Sequence, residues 1–365
     1  MILVVKIGTS SITDSAGHVD PAAVTKLAGE VAAVRQGGHQ VLVVTSGAIT
    51  AGLPALGFDD RRPTDTRTLQ AVSAVGQSRL MRTYDRIFAD EGMVSAQVLL
   101  APLDFVHRSQ YLHARQTLEA LLELGAVPVI NENDAIADDE IRFGDNDRLA
   151  ALVAHLVRAD LLVLLTDTPG LFTADPRLDA SASLIEEIVE VDHQMEQVAG
   201  KSGSDRGSGG MASKVAAAKM AAWSGVPTVI ADASRPGVLA AAAGGEAGVG
   251  TVVRAHVGRK LSARKLWIAF AIGSSGTVVV DDGARRALVE RNSSLLPAGV
   301  VDVSGRFRAD DAVEIAGVDG AVFAKGLVRH PAPWVEKWRG RRTDDLPADE
   351  PHEVVHRDDL VVLPG

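Results

Sequence analysis

Two lysines have the most chemistry within reach. Lys6 closes an apolar run in Val4-Val5-Lys6-Ile7-Gly8-Thr9-Ser10, and Lys214 ends a glycine-rich stretch, Gly207-Ser208-Gly209-Gly210-Met211-Ala212-Ser213-Lys214. At the carboxyl end of a parallel strand, a lysine faces the crevice where α/β sheets take their ligands. The small-residue turn after Lys6 exposes backbone N–H groups that can hold anionic oxygens. In the second stretch, glycines permit a backbone wrapped around phosphates, the following helix adds its first amides, and Lys214 adds a point charge. The Gly-Lys-Ser/Thr ending of a Walker A loop is missing. Plainer readings stand beside these: a strand-end lysine reaching solvent, and a flexible linker.

Three more clusters follow short apolar runs. Val44-Thr45-Ser46-Gly47-Ala48-Ile49 leads from a strand into a helix start, where unpaired amides bind carboxylates or phosphates. The bland alternative makes Ser46 only a helix cap. Asn131-Glu132-Asn133-Asp134 follows Val127–Ile130, and Gly144-Asp145-Asn146-Asp147 precedes a helical pattern. Such amides and carboxylates can hold an ammonium group, a magnesium ion or a catalytic lysine. They can equally cap the helix and occupy its first turn. Leu165-Thr166-Asp167 runs into Thr168-Pro169-Gly170, so Asp167 can meet a ribose or a metal, or simply serve the turn.

The elements that must position these residues are legible in outline. Apolar runs recur at Ile2–Val5, Val41–Val44, Val94–Leu100, Val127–Ile130, Leu161–Leu165 and Thr228–Ile230, with helical segments between most of them. Leu149, Leu152, Val153 and Leu156 keep the i, i+3, i+4, i+7 spacing of a helix face, and an Ala-rich helix is expected over Val215–Trp223. Unbroken apolar strands alternating with helices predict a mainly parallel sheet covered on both faces. After the alanine-rich segment 238–245 the texture changes to short, turn-bounded runs at Gly276–Val280, Val300–Val303, Ala312–Ile315 and Ala321–Val328, as in a small mixed β domain. The Pro- and charge-rich stretch 331–365 is expected to be partly mobile.

Length and composition set the outer limits. At 365 residues, two domains of the usual ~150 residues fit. Hydrophobic residues make up 46%, charged residues 23%, and mean hydropathy is +0.12, values typical of a soluble globular chain. The net charge of −10 excludes a generally basic nucleic-acid coat. Residues 256–365 carry sixteen basic and sixteen acidic side chains, so the whole excess negative charge falls before them. Cysteine is absent, which removes disulfides, thiolate zinc sites and a cysteine nucleophile. The histidines lack metal-ligand spacing. No apolar run approaches the ~18 residues of a membrane helix, and the N-terminus lacks the pattern of a signal peptide. A cytoplasmic location is expected.

Taken in order, Val5-Lys6-Ile7-Gly8-Thr9-Ser10, Val44-Thr45-Ser46-Gly47-Ala48-Ile49, Ala74-Val75-Gly76-Gln77, Ile130-Asn131-Glu132-Asn133-Asp134, Gly144-Asp145-Asn146-Asp147, Leu165-Thr166-Asp167 and Gly209-Gly210-Met211-Ala212-Ser213-Lys214 make the chain similar to the amino acid kinase family. Within it, the chain resembles the branch whose acceptor is glutamate. The stretch 276–330, with Arg291-Asn292-Ser293-Ser294-Leu295-Leu296-Pro297-Ala298-Gly299, resembles a PUA domain. The resemblance implies a mainly parallel sheet sandwiched between helices, in a kinase domain over 1–255, then a linker over 256–274 and a PUA-like domain over 275–355. It implies transfer of a phosphoryl group from ATP, with Mg²⁺, to the γ-carboxylate of L-glutamate, the first step of proline synthesis.

Residue roles follow from the same resemblance. Lys6, Asp147 and Lys214 match catalytic positions, and Ser46, Asp134 and Asn146 match glutamate-binding positions. Lys6, Thr166, Asp167, Ser208, Gly209, Gly210, Met211, Ala212, Ser213 and Lys214 match ATP-binding positions. Feedback inhibition by proline, a homo-oligomer (dimer or tetramer) and hand-over of the product to glutamyl-phosphate reductase are further implications. RNA binding by the PUA-like part stays open. The phosphate loop has Ser208 where the family pattern has threonine, which keeps the hydroxyl. Rival readings are a relative acting on acetylglutamate, aspartate or uridylate, an RNA-binding module with a kinase-like body, and a catalytically dead regulatory homologue.

Overall fold

The structure is a computed structural model of the whole chain, and it describes residues 1–14, 18–58, 62–136, 146–179, 181–191, 195, 210–256, 261–346 and 351–363. The chain divides into two compact units, Met1–Ala263 and Arg264–Gly365.

In the first unit, strands β1 (Ile2–Ile7), β2 (Gln40–Val44), β3 (Ser95–Leu100), β4 (Val127–Glu132), β5 (Leu161–Thr166), β6 (Glu187–Ile188), β7 (Thr228–Asp232) and β8 (Thr251–Val253) form one sheet. Its order is β3-β4-β2-β1-β5-β7-β8-β6. All pairs from β3 across to β7 are parallel, and only β8 runs antiparallel to β7. The strands read as continuous apolar runs because both faces are covered. Leu3, Val4 and Val5 are fully buried, as are Val129, Ile130 and Leu162–Leu164, and each such side chain contributes about 1.5–3 kcal/mol when taken out of water.

Helices α1 (Thr9–Ile12), α2 (Pro21–Gln36), α3 (Ala48–Gly52), α4 (Thr66–Asp90), α5 (Arg108–Glu123), α6 (Asn146–Leu156), α7 (Met211–Ser224) and α8 (Val238–Gly244) connect and cover the strands. Local chemistry sets several of their starts. Asp20 accepts from the Ala22 amide ahead of Pro21, and Asp65 accepts from the Thr68 amide. Helix α7 begins at Met211 rather than near Val215, because Met, Ala and Lys are strong helix formers and extend the turn back to Gly210. Lys214 therefore lies inside the helix.

Strand register decides where the polar residues emerge. Lys6 lies beside Val44 and Leu164, Val44 beside Ile130, and Thr166 beside Asp232. The carboxyl ends of β1, β2, β4 and β5 thus finish level, and the residues following them gather on one edge of the sheet. Helix α4 reaches that edge through a close crossing with α3. A Cβ on Gly76 would lie 1.7 Å from the Ala48 carbonyl oxygen, and one on Gly52 would lie 2.1 Å from the Val72 oxygen. Only two facing glycines permit that approach.

In the second unit, β9 (Gly276–Val280), β10 (Val300–Gly305), β11 (Ala312–Gly317), β12 (Val322–Val328) and β13 (Val355–Val362) form a sheet of order β10-β9-β11-β12-β13. The β9–β11 pair is parallel and the others are antiparallel. Helices α9 (Asp282–Arg291) and α10 (Ala332–Trp338) accompany it. Val278, Val280, Leu288, Ile315, Ala324, Val335 and Val355 form a core of its own. The stretch after 331 differs from the loose tail expected of it. It supplies α10, with Val335 fully buried, and β13, which pairs with β12. The apolar residues Val354, Val355, Leu360 and Val361 carry that order through a charged surrounding.

Candidate active site

Helix α6 is buried on nearly every side, and its first two residues carry the site. Asp147 has no exposed surface, and the side chains of Lys6 and Lys214 are 3% and 6% exposed. Lys6 Nζ lies 2.5 Å from Asp147 Oδ1, Lys214 Nζ lies 3.3 Å from Oδ2, and the Ser213 hydroxyl donates to Oδ2 at 2.6 Å. Burial is the largest single influence on the Asp147 carboxyl and would raise its pKa. The two ammonium groups and the Ser213 hydroxyl outweigh it and hold the pKa below the ordinary value. Asp147 is therefore ionised at neutral pH. A buried ion costs several kcal/mol unless its geometry is good, so one carboxylate gripping two lysines fixes both ammonium groups. The three charges sum to one positive charge.

Asn146, one residue earlier, faces a neutral cluster. Its Nδ2 donates to the Thr45 carbonyl at 2.5 Å, lies 3.0 Å from Ser46 Oγ, and donates to Asn131 Oδ1 at 2.7 Å. Asn131 Nδ2 in turn donates to Gln77 Oε1 at 2.8 Å. Two backbone groups fix the direction of this chain. The Thr45 carbonyl accepts only, and the Glu132 amide, which donates to Asn131 Oδ1 at 2.9 Å, donates only. Asn146 Oδ1 is buried and finds no hydrogen-bond partner among the described residues. A buried acceptor left open costs ~1–3 kcal/mol, and the ammonium of an amino acid is a donor that would fill it. Asp134, half-buried just past β4, accepts from the Ser73 hydroxyl at 2.8 Å. Ser46 is not the cap of α3. Gly47, at φ +100°, holds that position, which frees the serine side chain for Asn146.

On the other side of Lys214 lies a cavity of about 310 Å³ lined by Ser10, Thr166, Asp167, Asp175, Arg177, Gly210, Met211 and Lys214, among others. Thr166 ends β5 and donates to Asp167 Oδ1 at 3.2 Å. Helix α7 opens at Gly210, and among the described residues no side chain caps it, which leaves its first amides available to an anion. An uncapped helix start beside a buried ammonium suits the phosphates of a nucleotide, and the carboxylates of Asp167 and Asp175 suit its ribose. At the rim, Arg177 holds Asp175 bidentately at 2.7 and 3.0 Å. Those bonds, together with the Arg177 backbone amide, bring the Asp175 carboxyl to about 2. Among the described residues no group of three or more His, Asp or Glu gathers as a metal cage. The donors present suit a magnesium ion that arrives on nucleotide phosphates and keeps its waters.

Of the residues singled out in the sequence, Lys6, Asp147, Ser213 and Lys214 meet in one contact set, and Ser46 and Asn146 in another. Thr166, Asp167, Gly210 and Met211 line the cavity. Asp134 accepts from Ser73. Ala212 lies in the first turn of α7. Ser208 and Gly209 lie outside the described residues, as does Asp145. Sequence reasoning gives no role to Ser73, Gln77 or Arg177. The first two stand in mid-helix, away from any strand end. Their only signal is the Ala74-Val75-Gly76-Gln77 motif.

Comparison with known proteins bears on the same residues. A profile described as "Amino acid kinase family" matches residues 1–232, which contain both contact sets and the cavity. The chain belongs to the amino acid kinase family. A second profile, described as "PUA domain", matches residues 276–347. This family member is 42% identical over 365 residues to "Glutamate 5-kinase" of Pelobacter propionicus, covering 99% of this chain and 97% of that protein. It is 46% identical over 368 residues to "Glutamate 5-kinase" of Gloeobacter violaceus, covering 99% of each. The solved carbamate kinase from Giardia lamblia, bound to AMP-PNP, aligns with a TM-score of 0.51 at 16% identity, over 70% of this chain and 98% of that one. At that identity the likeness is one of fold. Among the described residues no helix is long and apolar enough to cross a membrane.

Proposed function

We propose that this amino acid kinase transfers the terminal phosphoryl group of ATP to the γ-carboxylate of L-glutamate, giving L-glutamyl 5-phosphate and ADP, the entry step of proline synthesis. The observation that carries this reading is the adjacency of Asn146 and Asp147. One turn of α6 presents an amide cluster suited to an amino acid and a lysine pair suited to a phosphoryl group in flight. The curated relatives similar to this chain along its length carry the matching name.

The chemistry needs little beyond charge and position. The nucleophile is the acceptor's own γ-carboxylate, whose pKa of about 4.3 leaves it ionised at neutral pH, so no general base is required. The obstacle is bringing two anions together. Lys6 and Lys214 offset that repulsion and favour the charge that moves onto the β-phosphate as the bond to the γ-phosphorus breaks. Magnesium, when bound, adds positive charge to the same oxygens. Asp147 and Ser213 keep the lysines from swinging away. Thr166, Asp167 and the run Ser208–Ser213 are the proposed nucleotide contacts, and Ser46, Asp134 and Asn146 the proposed glutamate contacts. Proline, a smaller amino acid that carries an α-carboxylate and an ammonium nitrogen, is the proposed feedback inhibitor at or overlapping the acceptor side. A homodimer or homotetramer and hand-over of the labile acyl phosphate to glutamyl-phosphate reductase complete the proposal.

The test is ADP release with Mg-ATP and L-glutamate, N-acetylglutamate, aspartate or UMP in turn, with hydroxylamine present to trap an acyl phosphate. Glutamate-dependent release with hydroxamate formation, suppressed by proline, is expected. Turnover confined to another acceptor would keep the fold and overturn the substrate.

A further inference from the structure

We propose that Gln77 and Ser73, on α4, are positioning residues that set the acceptor side of the site from behind. The role rests on the glutamate kinase reading above. The two side chains stand one helical turn apart, so they share a face, and both are buried, at 8% and 3% exposure. That face meets the ends of β4 because Gly76 and Gly52 let α4 sink against α3. Each side chain then takes hold of a residue that follows or ends a strand. Gln77 Oε1 accepts from Asn131, and the Ser73 hydroxyl donates to Asp134.

The link from Gln77 runs two amides deep. Asn131 Nδ2 is satisfied by Gln77, which leaves Asn131 Oδ1 turned toward the Asn146 amide and the Glu132 N–H. The backbone groups of Thr45 and Glu132 forbid the reversed arrangement, so Gln77 must present its oxygen. Its Nε2 is buried and finds no partner among the described residues. Gln77 thus keeps a costly unpaired donor while supplying one acceptor in one place, which a residue retained only for packing has no reason to do. Removing the oxygen strips Asn131 Nδ2 of its partner. Asn131 is then held only at its Oδ1, and the acceptor it presents to Asn146 is less firmly placed. Ser73 acts in parallel, holding one orientation of the Asp134 carboxylate. Both bonds run to β4 and the residues just after it, on the acceptor side, so the effect belongs to the acceptor and not to the transfer.

The experiment is steady-state kinetics of the full chain, varying glutamate and ATP separately, for wild type, Gln77→Leu, Gln77→Glu, Ser73→Ala, Asn131→Leu and the Gln77→Leu/Asn131→Leu pair, with a thermal melt of each. For Gln77→Leu and Ser73→Ala, KM for glutamate is expected to rise about tenfold, the worth of one buried hydrogen bond. The KM for ATP and kcat stay within about twofold on the same reasoning. Gln77→Glu keeps an oxygen for Asn131 Nδ2 and recovers part of the loss. The double variant raises KM for glutamate no further than Asn131→Leu alone, since Gln77 works through that residue. A lowered melting temperature with an unchanged glutamate KM overturns the role, as does an equal rise in both KM values or full additivity in the double variant. A wild-type chain that ignores glutamate but phosphorylates another acceptor overturns the function and this role with it. Wild-type glutamate turnover with insensitive variants overturns the role alone.

Discussion

The two sides of α6 solve different problems with different chemistry. On the Asp147 side, charge is concentrated. Two ammonium groups stand within 3.3 Å of one carboxylate, with almost no exposed surface. On the Asn146 side, the same helix meets amides, a hydroxyl and a carbonyl, with the half-buried Asp134 beyond them. The difference teaches how the work is divided. A phosphoryl group in transit needs opposing charge held still, and charge is tolerated in the interior only when ions pin one another. An amino acid needs to be told apart from its neighbours, and directional hydrogen bonds of fixed polarity do that best.

The hardest test of this division removes the pin. Asp147→Asn leaves two lysines buried without their shared carboxylate and is expected to cost about 3–5 kcal/mol of stability, measured by denaturant unfolding at pH 7. The penalty depends on pH with a definite sign. Because the folded pKa of Asp147 lies below its ordinary value, its contribution is present above ~4, the unfolded pKa, and is lost as pH falls through the folded one. The gap between wild type and Asp147→Asn should therefore close in acid. A gap that stays constant from pH 7 to strong acid would remove Asp147 from its place in the comparison.

Next in size are the lysines themselves. Lys6→Ala or Lys214→Ala is expected to lower kcat by ~10²–10³, the effect of deleting one preorganised charge donor, with a much smaller change in glutamate KM. Near-normal kcat in both would dissolve the charged half as a catalytic unit. On the neutral half, Asn146→Asp sets a carboxylate against the Thr45 carbonyl and Asn131 Oδ1. Glutamate KM is expected to rise about 10- to 100-fold, in line with the ~1–3 kcal/mol of a buried polar group deprived of its partner, while ATP KM is spared. If kcat falls instead, the halves are not separable. The smallest effect is expected from removing Arg264–Gly365. All the site residues belong to the first unit, which has its own sheet and core, so turnover should persist. A folded truncation without activity would mean that the comparison omits a third participant.

Much of this is legible in the amino-acid sequence. Unbroken apolar runs announce a parallel sheet, and the polar residues just after them announce its ligand edge, because burial on both faces leaves only the strand ends free for chemistry. Lys6, Ser46 and Thr166 are readable for that reason. What cannot be read is anything depending on a helix crossing. Ser73 and Gln77 look like ordinary α4 residues until Gly76 meets Gly52 in space. The order of α10 and β13 is hidden as well. Their few apolar residues are spaced too irregularly to show a period, and β13 takes shape only when β12 offers it an edge.

The adjacency of Asn146 and Asp147 has a mechanical side. Asn146 and Asp147, the residues that anchor each side, stand next to one another on one buried helix and share every displacement of that helix as a rigid body. Such motion is common to both and cancels in the spacing of the two anchors, in the way that two mirrors on one optical bench keep their spacing when the bench shakes. Distortion within the first turn of α6 would change that spacing, and the turn is tied down on both sides by hydrogen bonds and ion pairs.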